Sequence, residues 1–130
     1  MTKRQPIAIL AADDEPGVLA LLRRCVADDT HVSLIEVSSG KQAIEQVAKG
    51  GSFDVLIADL RMPEMEGDEM ARQIRLLDPN IKVLYLTSHA DGLFEAKKQL
   101  WANEAYLDKP FTKRGLRQAL ALLLFGRIEL

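Results

Sequence analysis

Short apolar runs alternate along this chain with segments whose apolar residues recur at helical spacing. Ile7–Ala12, Val32–Val37, Phe53–Asp59 (FDVLIAD) and Ile81–Thr87 (IKVLYLT) read as strands, with Ala105–Leu107 as a short fifth. Nearly continuous apolar runs suit strands covered on both faces, as in a parallel sheet. Between them, Val18, Leu22, Cys25 and Val26 share one helical face, as do Ala43, Ile44, Val47 and Ala48 in the next segment. Met70, Ile74 and Leu77 mark a third helix, Leu93 to Trp101 a weaker fourth, and Leu116, Leu120, Leu123 and Leu124 a fifth. Punctuation agrees: Pro16 suits a first helical turn, Ser39 and Thr112 suit N-caps, and Gly50-Gly51 suits a helix stop. Asp78-Pro79-Asn80 predicts a turn before the fourth strand. Five β-α units of this length predict a doubly wound α/β sheet with right-handed crossovers. In such sheets ligands bind beyond the carboxyl ends of the strands, where the strand order reverses.

Length and charge narrow the picture. The 130 residues suit one domain, with the core at about 7–124, and leave no room for a second full one. The net charge of −2 carries no basic bias of the kind that marks nucleic-acid binders. No apolar run approaches the length of a membrane span, and Met1 to Gln5 lacks the features of a signal peptide, so a cytoplasmic location is expected. The single cysteine, Cys25, excludes an internal disulfide and reads as a buried structural residue.

The strand ends hold the candidate chemistry. Asp13-Asp14-Glu15 follows the first strand, Asp59 ends the third, Thr87-Ser88 ends the fourth, and Asp108-Lys109-Pro110 follows the fifth. Asp13, Asp14 and Asp59 in one pocket would repel, so they must take up protons or bind a cation. Hard oxygen ligands in an open site suit Mg²⁺, and the backbone carbonyl of Arg61 is a candidate further ligand. A carboxylate can act as nucleophile to form an acyl phosphate. Phosphoryl transfer needs mainly positioning and charge neutralisation. Lys109 offers a compact positive charge for that purpose, Thr87 a hydroxyl donor, and Ser88 leaves space. Each residue has a plainer reading. Asp13 and Asp14 can simply begin a helix, where acids favour the dipole. Lys109 can be a surface lysine, Thr87 a turn residue, and Gly67, which would permit a tight loop between Asp59 and the third helix, can be an ordinary helix-start glycine. The conjunction at successive strand ends favours the chemical reading.

These segments resemble the response-regulator receiver domain. The match runs from about Ile7 to Leu124, through ILAADDEPG, VLIADLRMPEMEG, YLTSHA and AYLDKPF. The resemblance implies a flavodoxin-like five-stranded parallel sheet with five helices and strand order 2-1-3-4-5. It implies that Asp59 accepts a phosphoryl group from a histidine kinase or phosphotransfer protein. Asp14 and Asp59 then ligate Mg²⁺ directly, Asp13 through water, and Thr87 and Lys109 contact the phosphoryl group. It implies that Thr87 moves toward the phosphoryl oxygen while Tyr106 swings inward. That motion would reshape the face of the fourth helix, fifth strand and fifth helix, read by a downstream protein or a second receiver copy. Tyr106 as a plain packing aromatic is the alternative. The family implies a cis Lys109-Pro110 bond that aims the lysine inward. Such a module is a switch that catalyses only its own phosphorylation and dephosphorylation.

Some positions depart from the pattern or vary within it. Arg61 and His89 should flank the site entrance and tune the lifetime of the acyl phosphate, with Arg61 shielding the phosphoryl group or pairing with Glu64. Trp101 to Ala105 (WANEA) stands where the family often has a Gly-Ala pair, and Trp101 is expected to pack on the sheet, with an exposed partner anchor as the alternative. A haloacid-dehalogenase-like phosphatase would need an acid at position 61 and its nucleophile on the first strand. A flavin carrier would need a first loop rich in Ser, Thr and Gly rather than acids. Only Phe125 to Leu130 follow Leu124, so no DNA-binding or enzymatic output module is expected in this chain, either as a free-standing receiver or as a fragment of a hybrid kinase or regulator.

Overall fold

The computed structural model describes residues 6–88 and 103–126. Its elements run β1 (Ile7–Ala12), α1 (Pro16–Val26), β2 (Val32–Val37), α2 (Gly40–Ala48), β3 (Val55–Asp59), α3 (Gly67–Leu77), β4 (Lys82–Thr87), β5 (Glu104–Asp108) and α4 (Lys113–Phe125). The strands form one parallel sheet in the order β2-β1-β3-β4-β5, as the resemblance implied. The order reverses between β1 and β3, which places the expected crevice beyond Ala12 and Asp59. Four helices lie among the described residues. The weak fourth one expected over 93–101, together with His89 and Trp101, lies outside them.

Strand side chains alternate between the two sheet faces, and the sequence supplies apolar residues to both. Leu10, Ala12, Leu56, Ala58, Val83 and Tyr85 pack with Ala43 and Val47 of α2 and Met70, Ala71 and Ile74 of α3. Their neighbours Ile9, Ala11, Val55, Ile57, Leu84 and Leu86 pack with Leu22 and Cys25 of α1 and Leu116 and Leu120 of α4. Cys25 is free and buried, as expected. The helix signals are also borne out. Pro16 opens α1, Ser39 accepts from the Gln42 N–H at 3.2 Å, and Thr112 accepts from the Gly115 N–H at 2.9 Å. Gly50 ends the α2 turn with φ 103°, a left-handed conformation open to glycine at no steric cost.

Several strand limits differ from the apolar pattern, with β4 starting at Lys82 rather than Ile81 and β5 running on to Asp108. β3 starts at Val55 because Asp54 is occupied in linking strand starts: its carboxylate accepts from the Ala8 N–H at 2.8 Å. β5 starts at Glu104, a charged residue that pattern reading leaves out of a strand. Glu104 is buried because it has partners. Its Oε2 accepts from the Tyr85 hydroxyl at 2.8 Å and lies 2.8 Å from Arg75 Nη1. Burial and the charge of Glu104 push the Tyr85 hydroxyl far above its usual range, so it stays a donor. The group joins α3, β4 and β5 at the level of the core.

Removing one partner of a buried ion pair leaves an uncompensated charge. Arg75→Met is therefore expected to lower unfolding stability by about 3 kcal/mol. Adding Glu104→Met to it should recover much of that loss. Urea unfolding of both variants checks this, and equal losses in the two would reject the pairing as the cause.

Candidate functional site

Asp13 follows the last residue of β1, and its N–H donates to Val37 O at 3.2 Å. Its side chain is wholly buried. Oδ1 accepts from the Glu15 N–H at 2.9 Å, a local turn that leads the chain into α1. The helix-start role considered for this residue is thus real, and it uses only one oxygen. The other, Oδ2, is buried and has no well-directed hydrogen bond. Asp14 beside it is exposed.

Asp59 ends β3 and is 5% exposed. The chain after it is held tightly: the Leu60 N–H donates to Leu86 O at 2.9 Å, and the Gly67 N–H to Leu60 O at 2.8 Å. A Cβ on Gly67 would overlap the Asp59 carbonyl oxygen and lie 3.1 Å from Leu60 Cα. Gly67 is therefore both the first residue of α3 and the seat of a close backbone approach that no other residue permits. The loop between reverses at Glu64, whose φ is 69°. That reversal brings Glu66 back toward Arg61, so the guanidinium pairs with Glu66 at 3.1 Å rather than with Glu64. The Arg61 backbone N–H beside the Asp59 carboxylate favours its charged form.

Lys109 arrives from the far side. Its N–H donates to Thr87 O at 2.8 Å, the Lys109-Pro110 peptide is cis as expected, and Phe111 is buried in the core beneath. The ammonium hydrogen-bonds Glu15 Oε1 at 3.1 Å and lies 3.0 Å from Asp13 Oδ2 and 3.3 Å from Asp59 Oδ1. Thr87 closes the same edge and is 3% exposed. Tyr106 stands beside Tyr85 on β5, half-buried against the core face shared with α2 and α3.

The structure thus brings Asp13, Asp59 and Lys109 into contact, with Asp14 alongside and Thr87 at the same edge. Asp13, Asp14 and Asp59 each offer an oxygen within 4.8 Å of the others. Burial, and next the charge of Asp13, push the Asp59 carboxyl up to about 6. Burial raises Asp13 as well. Burial alone would depress Lys109, but its contacts with Asp13 and Glu15 outweigh it and hold the ammonium charged. A buried carboxylate pair with an oxygen lacking a directed donor is suited to a small hard cation. Two contributions were missed in the sequence. Glu15 reaches Lys109 across 94 positions, and its only signal was its place after the acidic pair. The Arg75–Glu104–Tyr85 group gave no signal, because charged residues in a helix and before a strand read as surface.

The raised carboxyl sets a pH dependence. The folded protein holds the Asp59 proton up to about pH 6, whereas the unfolded chain releases it near 3.8. Stability therefore falls as pH rises through that window and stays lower above it. In EDTA at pH 7.5, Asp59→Asn is expected to be about 1–2 kcal/mol more stable than the parent. The gain should vanish below pH 4. Urea titrations at both pH values measure it, and a destabilised Asn variant at pH 7.5 would contradict it.

The comparisons with known proteins converge on one family. The family model described as "Response regulator receiver domain" matches residues 9–121. The chain is 30% identical over 119 residues to the transcriptional regulatory protein GlrR of Escherichia coli (strain K12), covering 89% of this chain and 26% of that protein. It is 28% identical over 118 residues to the response regulator receiver protein CpdR of Brucella abortus (strain 2308), covering 91% of this chain and 96% of the relative. The crystal structure of a response regulator receiver protein from Sinorhizobium medicae WSM419 superposes with TM-score 0.79 at 32% identity, over 92% of this chain and 94% of that one. The chain spans about a quarter or less of the length of the first curated relatives it matches. An acidic pocket with a facing lysine, at the reversal point of a 2-1-3-4-5 sheet, together with these matches, leads to one conclusion: the chain belongs to the response regulator receiver domain family of two-component signalling.

Proposed function

We propose that this receiver domain is a phosphorylation-activated switch in which Asp59 accepts a phosphoryl group from a histidine kinase or phosphotransfer protein. The observation that carries the reading is the Lys109 ammonium set between Asp13 and Asp59 at one sheet edge. The Asp59 carboxylate attacks phosphorus, the P–N bond to the donor imidazole breaks, and the imidazole nitrogen keeps the electron pair and takes up a proton. Lys109 neutralises charge on the transferred group, and the Thr87 hydroxyl donates to one of its oxygens. Asp13, Asp14, Asp59 and the Arg61 carbonyl would hold Mg²⁺, whose positive charge offsets that of the carboxylates and the phosphoryl oxygens.

Contacts made only in the phosphorylated state bias Thr87 and Tyr106 toward a second arrangement. The surface built on β5 and α4 then changes for a downstream protein or a second receiver copy. The domain acts on itself alone, with no other enzymatic activity and no direct contact with nucleic acid. No described helix is long and apolar enough to cross a membrane, and a cytoplasmic setting fits a phosphoryl donor of this kind. The domain serves equally as a free-standing regulator or as part of a longer regulator or hybrid sensor kinase.

Incubation with acetyl phosphate and Mg²⁺ is expected to add one labile phosphoryl group to the parent and none to Asp59→Asn, read by intact mass. Absence of phosphate on the parent, or its equal presence on the variant, would reject the proposal. Arg61 guards the entrance, and its exposed pairing with Glu66 leaves it able to turn toward the phosphoryl group. Loss of phosphate from Arg61→Ala should be about two- to fivefold faster than from the parent, the scale of one exposed charge contact. Unchanged decay after removal of the donor would reject that role.

A further inference from the structure

We propose that Glu15 is a positioning residue that shares the Lys109 ammonium with the acceptor Asp59 and slows phosphorylation by anionic donors. The inference rests on the reading of Asp59 as acceptor and adds a restraint on that same site. Three carboxylates compete for one ammonium: Asp13 at 3.0 Å, Glu15 at 3.1 Å and Asp59 at 3.3 Å. The contact to Asp59 is the longest. The contact to Glu15 is a directed hydrogen bond, whereas Asp13 Oδ2 receives none.

Glu15 has no other evident task. It is the N-cap residue of α1, yet its side chain makes no capping bond, and the turn there is secured by the Asp13 carboxylate instead. An N-cap position favours Ser, Thr, Asp or Asn because their short side chains reach the free N–H groups. A glutamate there forgoes that gain, and here it reaches Lys109. Its side chain is 60% exposed, whereas those of Asp13 and Asp59 are 0% and 7% exposed. An exposed pair costs little to break, so Glu15 is the partner Lys109 can release when a phosphoryl group arrives. Until then, Glu15 adds a negative charge at the mouth of a pocket that must admit a negative donor. Lys109 thus has a buried anchor in Asp13, a releasable partner in Glu15, and a third, longer contact at Asp59.

The test compares the parent with Glu15→Gln, which keeps length and an acceptor oxygen but removes the charge. Phosphorylation by acetyl phosphate is timed at Mg²⁺ concentrations that saturate each protein. At about 0.02 M ionic strength the variant is expected to react about three- to tenfold faster, with the gain shrinking to about twofold or less at 0.5 M. Phosphoramidate, which carries less net negative charge, should show a smaller gain than acetyl phosphate. A merely structural role for Glu15 would move neither the salt dependence nor the donor dependence. If the parent is phosphorylated on Asp59 but the variant reacts at the same rate or more slowly, the restraint is overturned and the acceptor reading stands. A gain that ignores both salt and donor charge also overturns it. If the parent takes phosphate from neither donor, the acceptor reading fails and the restraint with it.

Discussion

Two buried carboxylates beside one ammonium set the terms for the rest of this molecule. Asp13 and Asp59 repel each other in a setting that also penalises their charges, and Lys109 relieves both at once. Left to itself such a cluster would protonate or open to water. It persists because each member is fixed to a different strand of one sheet, and the sheet is apolar on both faces. Hydrophobic burial supplies the free energy that holds like charges together. The unfavourable electrostatics then become usable, because a cation that enters relieves them.

The strands that carry the site also carry a second, deeper polar group. On β4, Tyr85 lies two residues before Thr87; on β5, Glu104 lies two before Tyr106. With the alternation of side chains, these four face the same side of the sheet, toward α3. Arg75 of α3 is tied to Glu104 there. The residues expected to move thus stand directly above residues that are pinned. A displacement at Thr87 or Tyr106 meets a fixed floor, which favours discrete rearrangement at the strand ends over distortion of the strands themselves.

Much of this was legible in the order of residues, and the reasons are physical. Continuous apolar runs mean two covered faces, which means a parallel sheet, and strand ends then specify where polar residues meet. Asp13, Asp59, Thr87 and Lys109 were found by that route because their neighbours in the chain are strand residues of unmistakable pattern. Glu104 escaped it, since its burial depends on Arg75 and Tyr85, which a local window cannot associate with it. Glu15 escaped for a related reason: its partner is distant in the chain, and a glutamate after two aspartates looks like more of the same acidity. The pairing of Arg61 depended on a backbone reversal at Glu64, a residue type that rarely takes a positive φ.

The contact of Gly67 with the Asp59 carbonyl has a consequence for what sequence change the loop can absorb. Leu60 and Gly67 are joined by a backbone hydrogen bond, so residues 61–66 form a closed circuit whose two ends touch. Side chains on that circuit are free to vary, and with them the traffic at the pocket mouth. Its length is not, because one residue more or fewer would separate the acceptor strand from the start of α3. The circuit acts as a gauge block: it allows the chemistry at the entrance to diversify while keeping the acceptor and its neighbouring helix at one spacing.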